Sequence, residues 1–329
     1  MENKIASFTA ASVFPAKLLA NAELVRKIMK EKKIPPIHVQ LNVTNRCNLN
    51  CQFCSCSKRD RKLELSCEEI MEIMKKARKA GCKSCTITGG GEPLMHPRIS
   101  DIIRGINAEK IEIGLVTNGL LLGQVPADVF KRITWIRVSS ADDREFTDEY
   151  GRMLGAAVER GMDVDWAFSH VVGSKPNYDT IVKIIKFANN YAFTHVRLVS
   201  DLLDLNAVED MSTIKRKLKK RVDDSLVIYQ GRKTFERGKW GCYISLLKPV
   251  ITPDGRIVAC CGWQYRKKNP SRDYDTKDSM GLAKDIDKLY EKQAWQACFD
   301  GSGCDRCYYM DYNRALKILL SDLRHKEFV

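Results

Sequence analysis

Short apolar runs alternate with longer amphipathic stretches between residues 37 and 200. The runs 37–43, 84–88, 111–117, 134–139, 163–170 and 195–200 have the length and β-branched content of strands. Between most of them, 67–80, 97–108, 143–160 and 179–192 repeat apolar residues every three or four positions, the period of a helix with one buried face. Strand and helix in turn predict a parallel sheet with right-handed crossovers, open or partly closed as a barrel. Ahead of this region Leu18, Leu19, Leu24, Val25, Ile28 and Met29 fall at helical spacing. Pro35-Pro36 ends that segment, because proline cannot continue the hydrogen-bond ladder. The rhythm stops near Leu205. A basic helix is expected over 207–222, then a hairpin in which Thr252-Pro253-Asp254-Gly255 turns 245–251 into 256–260. A charged loop at 266–277, a cysteine-rich knot and a helix from about Tyr312 follow.

This pattern divides the chain into a helical extension (1–36), an α/β core (37–205), a basic connector (206–235), a small α+β unit (236–311) and a closing helix (312–329). Composition changes the picture little. Hydrophobic residues are 44% and charged residues 29% of the 329, which excludes a disordered or fibrous chain. No run approaches the roughly 18 apolar residues of a membrane span, and the first 20 residues lack a secretory apolar core, so a cytoplasmic protein without membrane attachment is expected. In that compartment 13 cysteines point to metal ligands or core thiols rather than disulfides. The net charge of +14 points to an anionic partner, with nucleic acid among the candidates.

The first cysteine cluster is Cys47-Asn48-Leu49-Asn50-Cys51-Gln52-Phe53-Cys54, placed just after the first strand. Three thiolates on one loop can converge on an iron–sulfur cube and leave one iron open. Zinc, the competing reading, prefers four ligands in CxxC pairs. The loop after a barrel strand is also where such barrels do chemistry.

CxxxCxΦC with Phe53 as the aromatic resembles the signature of the radical SAM superfamily. The resemblance continues in register through Thr88-Gly89-Gly90-Gly91-Glu92-Pro93 after the second strand, Thr117-Asn118-Gly119 after the third and Ser139-Ser140 after the fourth. It implies a partial (β/α)6 TIM-type barrel. It also implies a 4Fe–4S cluster on Cys47, Cys51 and Cys54, with S-adenosylmethionine (SAM) on its open iron. Phe53, Gly89, Gly90, Gly91, Glu92, Pro93, Asn118, Ser139, Ser140 and Arg197 are then the candidate SAM contacts, with a substrate phosphate as the alternative partner of Arg197. One electron, from a reductant such as flavodoxin or ferredoxin, would cleave SAM to methionine and a 5′-deoxyadenosyl radical that takes a hydrogen atom from the substrate. His170 and Asp201, at the ends of the fifth and sixth strands, are the candidate catalytic residues, and a hydrogen-bonded structural histidine is an equal reading of His170.

Cys242, Cys260 and the pair Cys304 and Cys307 resemble the twitch domain, a shortened SPASM domain, which implies a second, auxiliary 4Fe–4S cluster that passes electrons. A zinc ribbon is the alternative for this set, with Cys261 and Cys298 as candidate replacement ligands. Cys82 and Cys85 read as core residues. For the substrate the basic positions matter most. Residues 207–239 hold ten basic against five acidic side chains, extended by Arg266-Lys267-Lys268. They read either as a solvated helix face or as a phosphate-tracking surface. A nucleotide or nucleic-acid base is the first substrate reading. A ribosomally made peptide and a small metabolite oxidised by a dehydrogenase are the alternatives. A zinc-stabilised nucleic-acid-binding module is the non-enzymatic one.

Overall fold

The computed structural model describes residues 14–54, 56–57, 59–201, 211–231, 241–261, 279–291, 299–304, 307 and 309–321. All six expected core strands form: β1 (His38–Asn42), β2 (Ser84–Thr88), β3 (Glu112–Thr117), β4 (Trp135–Ala141), β5 (Asp165–Val172) and β6 (His195–Ser200). Each pairs in parallel with the next. A seventh strand, β7 (Val227–Gln230), continues the parallel order beyond β6 and was not among the expected strands. Its four residues are half-buried throughout, so it lacks the apolar core signature.

Helices cover the sheet where the period placed them. Cys67–Lys79 starts at a capping box, in which the Ser66 hydroxyl accepts from the Glu69 amide and Glu69 accepts from the Ser66 amide. Asp148–Arg160 begins later than expected because Thr147 caps it, accepting from the Tyr150 amide. Tyr178–Asn190 carries Phe187, which joins Phe146, Phe168 and Phe193 in one aromatic cluster; the rings of Phe168 and Phe193 stack at 4.9 Å.

In the C-terminal part, β8 (Gly241–Cys242) leads into a hairpin that differs from expectation in two ways. Residues 244–247 form a helical turn (Ile244–Leu247), so the strand is only β9 (Val250–Ile251), which meets β10 (Arg256–Val258) antiparallel. The hairpin also joins the core sheet, because β9 pairs in parallel with β1 and β11 (Gly281–Leu282) lies outside β10. One ten-stranded sheet results, in the order β11-β10-β9-β1-β2-β3-β4-β5-β6-β7. Apart from it, β12 (Phe299–Asp300) pairs antiparallel with β8. No helix among the described residues is long and apolar enough to cross a membrane.

Phe168 is fully buried at the centre of the aromatic cluster. Phe168→Ala should lower unfolding stability by about 3–5 kcal/mol, the cost of an unfilled aromatic cavity, as read from urea denaturation of the purified chain. A loss under about 1 kcal/mol would show that the surrounding rings are loosely packed.

Candidate active site

Strand alternation gives the sheet two unlike faces. Val39, Leu41, Ile87, Ile113, Leu115, Ile136, Val138, Phe168, Val196 and Leu198 are buried against the helices. The opposite face carries His38, Gln40, Thr86, Arg137, Ser139, Ser169, His195 and Arg197, in register from strand to strand. Side chains link across that polar face: His38 Nε2 meets Thr86 Oγ1 at 2.7 Å, and Arg197 donates from Nη2 to Ser169 Oγ at 3.0 Å.

The loops after β1 to β4 are tied together at the C-terminal end of the sheet. The Gly91 amide donates to the Thr44 carbonyl at 3.0 Å and the Glu92 amide to the Arg46 carbonyl at 2.7 Å, so the glycine loop lies along the chain that enters the first cysteine. Glycine is required there, since a Cβ on Gly90 would fall 1.9 Å from Asn45 Oδ1 and one on Gly91 2.0 Å from the Arg46 carbonyl oxygen. Asn118 donates from Nδ2 to Asn48 Oδ1 at 2.7 Å, and the Gln52 amide donates to Asp143 Oδ2 at 3.0 Å. Tyr150 closes the frame by donating to the Asn118 carbonyl at 2.9 Å.

Glu92 sits at the middle of this frame with 2% exposure. Its Oε1 accepts from the Thr117 hydroxyl at 2.7 Å and the Leu94 amide at 3.1 Å, and its Oε2 from the Asn118 amide at 2.7 Å. Burial raises its carboxyl pKa, while the Asn118, Thr117 and Leu94 donors act in the opposite direction. One lone-pair direction on Oε2 remains for a ligand donor. Pro93 opens the short turn Pro93–Met95 that follows.

Cys47, Cys51 and Cys54 are half-buried thiols outside any disulfide, with Phe53 half-buried among them. They share one neighbourhood: burial, Asp143, Cys54 and Cys47 together push Cys51 up to about 11, against the pull of Arg144. Arg59 donates to Cys54 Sγ at 3.4 Å and the Leu49 amide to Cys47 Sγ at 3.5 Å, donors suited to thiolate ligands. No three His, Cys, Asp or Glu side chains among the described residues are grouped to hold a single metal ion. A cube binds each thiolate at a different iron, so its ligands stand further apart than those of one ion.

The second set also gathers. Burial first, then Cys307 and Cys304, pushes Cys242 up to about 12. Cys260 and Cys304 pack on the same buried pair, Val250 and Val258. Four thiols outside any disulfide, around an apolar contact, fit a sulfur-ligated cluster or zinc equally. Cys261 lies 3.5 Å from the Tyr309 hydroxyl; Cys298, and the basic positions Arg232, Lys233, Arg237, Lys239 and 266–268, lie outside the described residues. Cys82 and Cys85 are fully buried, and burial pushes Cys82 up to about 12.

Other candidates are divided by strand alternation. Ser139 is on the polar face with Arg197, whereas Ser140 and His170 pair on the helix-facing side. His170 is fully buried, with Nε2 2.9 Å from Asp142 Oδ1. Asp142 also accepts from the Gly173 and Asn177 amides, so the pair braces the turn after β5. Asp201 is half-buried one residue past β6, its amide donating to the Val172 carbonyl at 3.0 Å. Sequence reading missed Asn48, Tyr150, Ser169, Arg137 and His195. The last three were detectable as polar residues at alternate positions of strands whose other face is apolar.

Parallel strands, a three-cysteine loop and a glycine–glutamate loop at one sheet end define a class. Residues 41–199 match the model of the Radical SAM superfamily. Residues 41–199 thus carry a radical SAM domain, and the chain is an enzyme of the kind that works with a 4Fe–4S cluster and SAM. Among its relatives, the probable GTP 3′,8-cyclase of Archaeoglobus fulgidus is 24% identical over 288 residues, 78% of this chain and 94% of that protein. The GTP 3′,8-cyclase of Clostridium perfringens is 23% identical over 265 residues, 69% and 81% of the two chains. SuiB of Streptococcus suis, solved with S-adenosylmethionine bound, shares the fold with a TM-score of 0.60 at 17% identity, covering 88% of this chain and 74% of that one.

Two expectations follow from the geometry. Glu92→Gln replaces an acceptor with an amide donor facing buried donors, and should cost about 1–3 kcal/mol of stability in urea titrations; no loss would place the carboxylate outside the frame. His195, 1% exposed, is held at about 3 by burial and by Arg137 and Arg197, against 6.5 in the unfolded chain. The unfolded chain then binds more protons between those values, so stability falls as pH is lowered through that window. His38 is shifted the same way. The melting temperature of His195→Gln should drop less than that of the wild type between about pH 7 and 5. Equal drops would assign the pH dependence to other groups.

Proposed function

We propose that this enzyme cleaves SAM reductively at a cluster held by Cys47, Cys51 and Cys54, and acts on a nucleotide-class substrate. The observation that carries the cleavage reading is the frame joining the cysteine loop to the glycine–glutamate loop through Gly91, Glu92 and Asn118. When bound, the cluster supplies the electron that splits SAM into methionine and a hydrogen-abstracting 5′-deoxyadenosyl radical. The chain's own residues position the reactants. Glu92 has one acceptor direction free for the SAM ammonium, and the glycines let their loop lie close against the segment entering the cysteines. Ser139 and Arg197 face the same side of the sheet, where hydroxyl and guanidinium suit ribose and carboxylate. The aromatic layer behind β5 keeps water from the helix side.

Cys242, Cys260, Cys304 and Cys307 are the proposed ligands of an auxiliary 4Fe–4S cluster that would pass electrons, with flavodoxin or ferredoxin as the external donor in the cytoplasm. The nucleotide reading is supported by the GTP 3′,8-cyclase relatives and by the cations on the polar face of the sheet. Anaerobically reconstituted enzyme with dithionite should convert SAM to 5′-deoxyadenosine. Cys51→Ala should abolish the product, and GTP should raise its rate in the wild type. Failure of the intact, cluster-loaded enzyme to form 5′-deoxyadenosine would refute the cleavage reading.

A further inference from the structure

One buried arginine spans the base of the loop that carries Cys47, Cys51 and Cys54. Arg59 lies only 5 residues past Cys54, yet its side chain turns inward and is buried. Its Nε donates to the Asn45 carbonyl at 2.8 Å and its Nη1 to the Cys56 carbonyl at 2.6 Å. Those two carbonyls flank the three cysteines on either side. The same Nη1 donates to Cys54 Sγ at 3.4 Å. The arginine stem passes the glycine loop, where a Cβ on Gly90 would fall 3.8 Å from Arg59 Cδ.

Cations on the outer surface are partnered differently. Arg104 pairs with Asp128 and Arg221 with Asp179. On the outer basic helix, Met211–Leu218, Lys215 lies over the Tyr229 ring at 5.6 Å and Lys217 over Tyr178 at 5.0 Å. Among the described residues the bonds of Arg59 go to two carbonyls and one sulfur, and none goes to a carboxylate. Carbonyl dipoles satisfy its N–H groups but leave its net charge uncancelled, and a buried charge without a counter-charge is costly. Arginine cannot shed that charge by deprotonation. The sulfur it touches is one of the three proposed cluster ligands, which carry negative charge as thiolates.

We infer that Arg59 is a positioning residue for reduction of the cluster proposed on Cys47, Cys51 and Cys54. Acting through Cys54 Sγ, its buried charge and N–H group favour the form that carries one more electron, which puts reduction within reach of a flavodoxin or ferredoxin donor. This goes beyond the cleavage reading and rests on it. The step is the transfer of one electron from that donor to the cluster, with no bond made or broken and no proton moved. Net charge, hydrogen bonds to the sulfurs and solvent exposure set an iron–sulfur potential, and Arg59 bears on the first two directly. Burial gives its charge weight, because little water lies between it and the sulfur. Arg61 supplies the contrast: it donates to the Cys47 and Leu49 carbonyls of the same loop but is exposed, where solvent and salt screen it.

Anaerobic redox titration of the cluster-loaded enzyme tests the inference, followed through the EPR signal that changes when SAM is added. Arg59→Gln should shift the one-electron equilibrium toward the oxidised form at least about tenfold, about 59 mV for one electron. Arg59→Lys, which keeps the charge, should recover most of that shift, and Arg61→Gln should move the equilibrium less than about threefold. With a flavodoxin-class donor Arg59→Gln should form 5′-deoxyadenosine more slowly, and an excess of a stronger reductant should restore the rate. An unchanged equilibrium in Arg59→Gln, an equal shift in Arg59→Lys, or an equal shift in Arg61→Gln would each overturn the inference. If Arg59→Gln does not fold or load its cluster, wild type carrying isotopically labelled arginine nitrogen still decides. Its SAM-responsive signal should then show coupling to that nitrogen in pulsed EPR, and absence of the coupling would overturn the inference. If no wild-type signal responds to SAM, the cleavage reading falls and this inference with it. If the signal responds but Arg59→Gln leaves the equilibrium in place, only the role of Arg59 falls.

Discussion

A single buried carboxylate holds the candidate site in shape. Glu92 accepts from two loop amides and one hydroxyl on separate chain segments, so the loops after β2 and β3 cannot move independently. Its own amide is anchored to Arg46, which extends the constraint to the segment entering the cysteines. A carboxylate is suited to this task because its two oxygens accept several bonds and charge-assisted bonds are the stronger kind. Rigid placement of the glycine–glutamate loop thus begins with backbone amides that would otherwise be left unpaired near the sheet end.

The core was legible because strand and helix periods are carried by runs of similar residues. β2 and β6 have the expected limits and the other core strands shift by one or two residues, while caps such as Ser66 and Thr147 set where the helices begin. β7 was hidden because Val227–Gln230 is half-buried and follows a polar segment. The helical turn at Ile244–Leu247 was read as strand since a four-residue apolar run fits either period. Within the site, the short motifs announced the cysteine and glycine loops. The cross-links that position them, Asn48 to Asn118 and Tyr150 to Asn118, join residues far apart in sequence and carry no local signal.

Charge was the opening clue to a partner, and its location changes its meaning. Basic residues are densest along the outer helix, where lysines lie over tyrosine rings. Strand register instead places Arg137 and Arg197 on the polar face, where each charge interacts through less water and counts for more. A linear charge count cannot distinguish these situations, because alternate strand positions separate interior from helix-facing groups.

The parallel pairing of β9 with β1 makes Gln40 the neighbour of Val250, about 210 residues later in the chain. Without that partner β1 would present a row of open backbone groups at one edge of the sheet. β1 therefore waits for a partner made about 210 residues later, and its edge stays exposed until that segment emerges. Such long-range closure slows folding and gives a newly made chain time to pair wrongly.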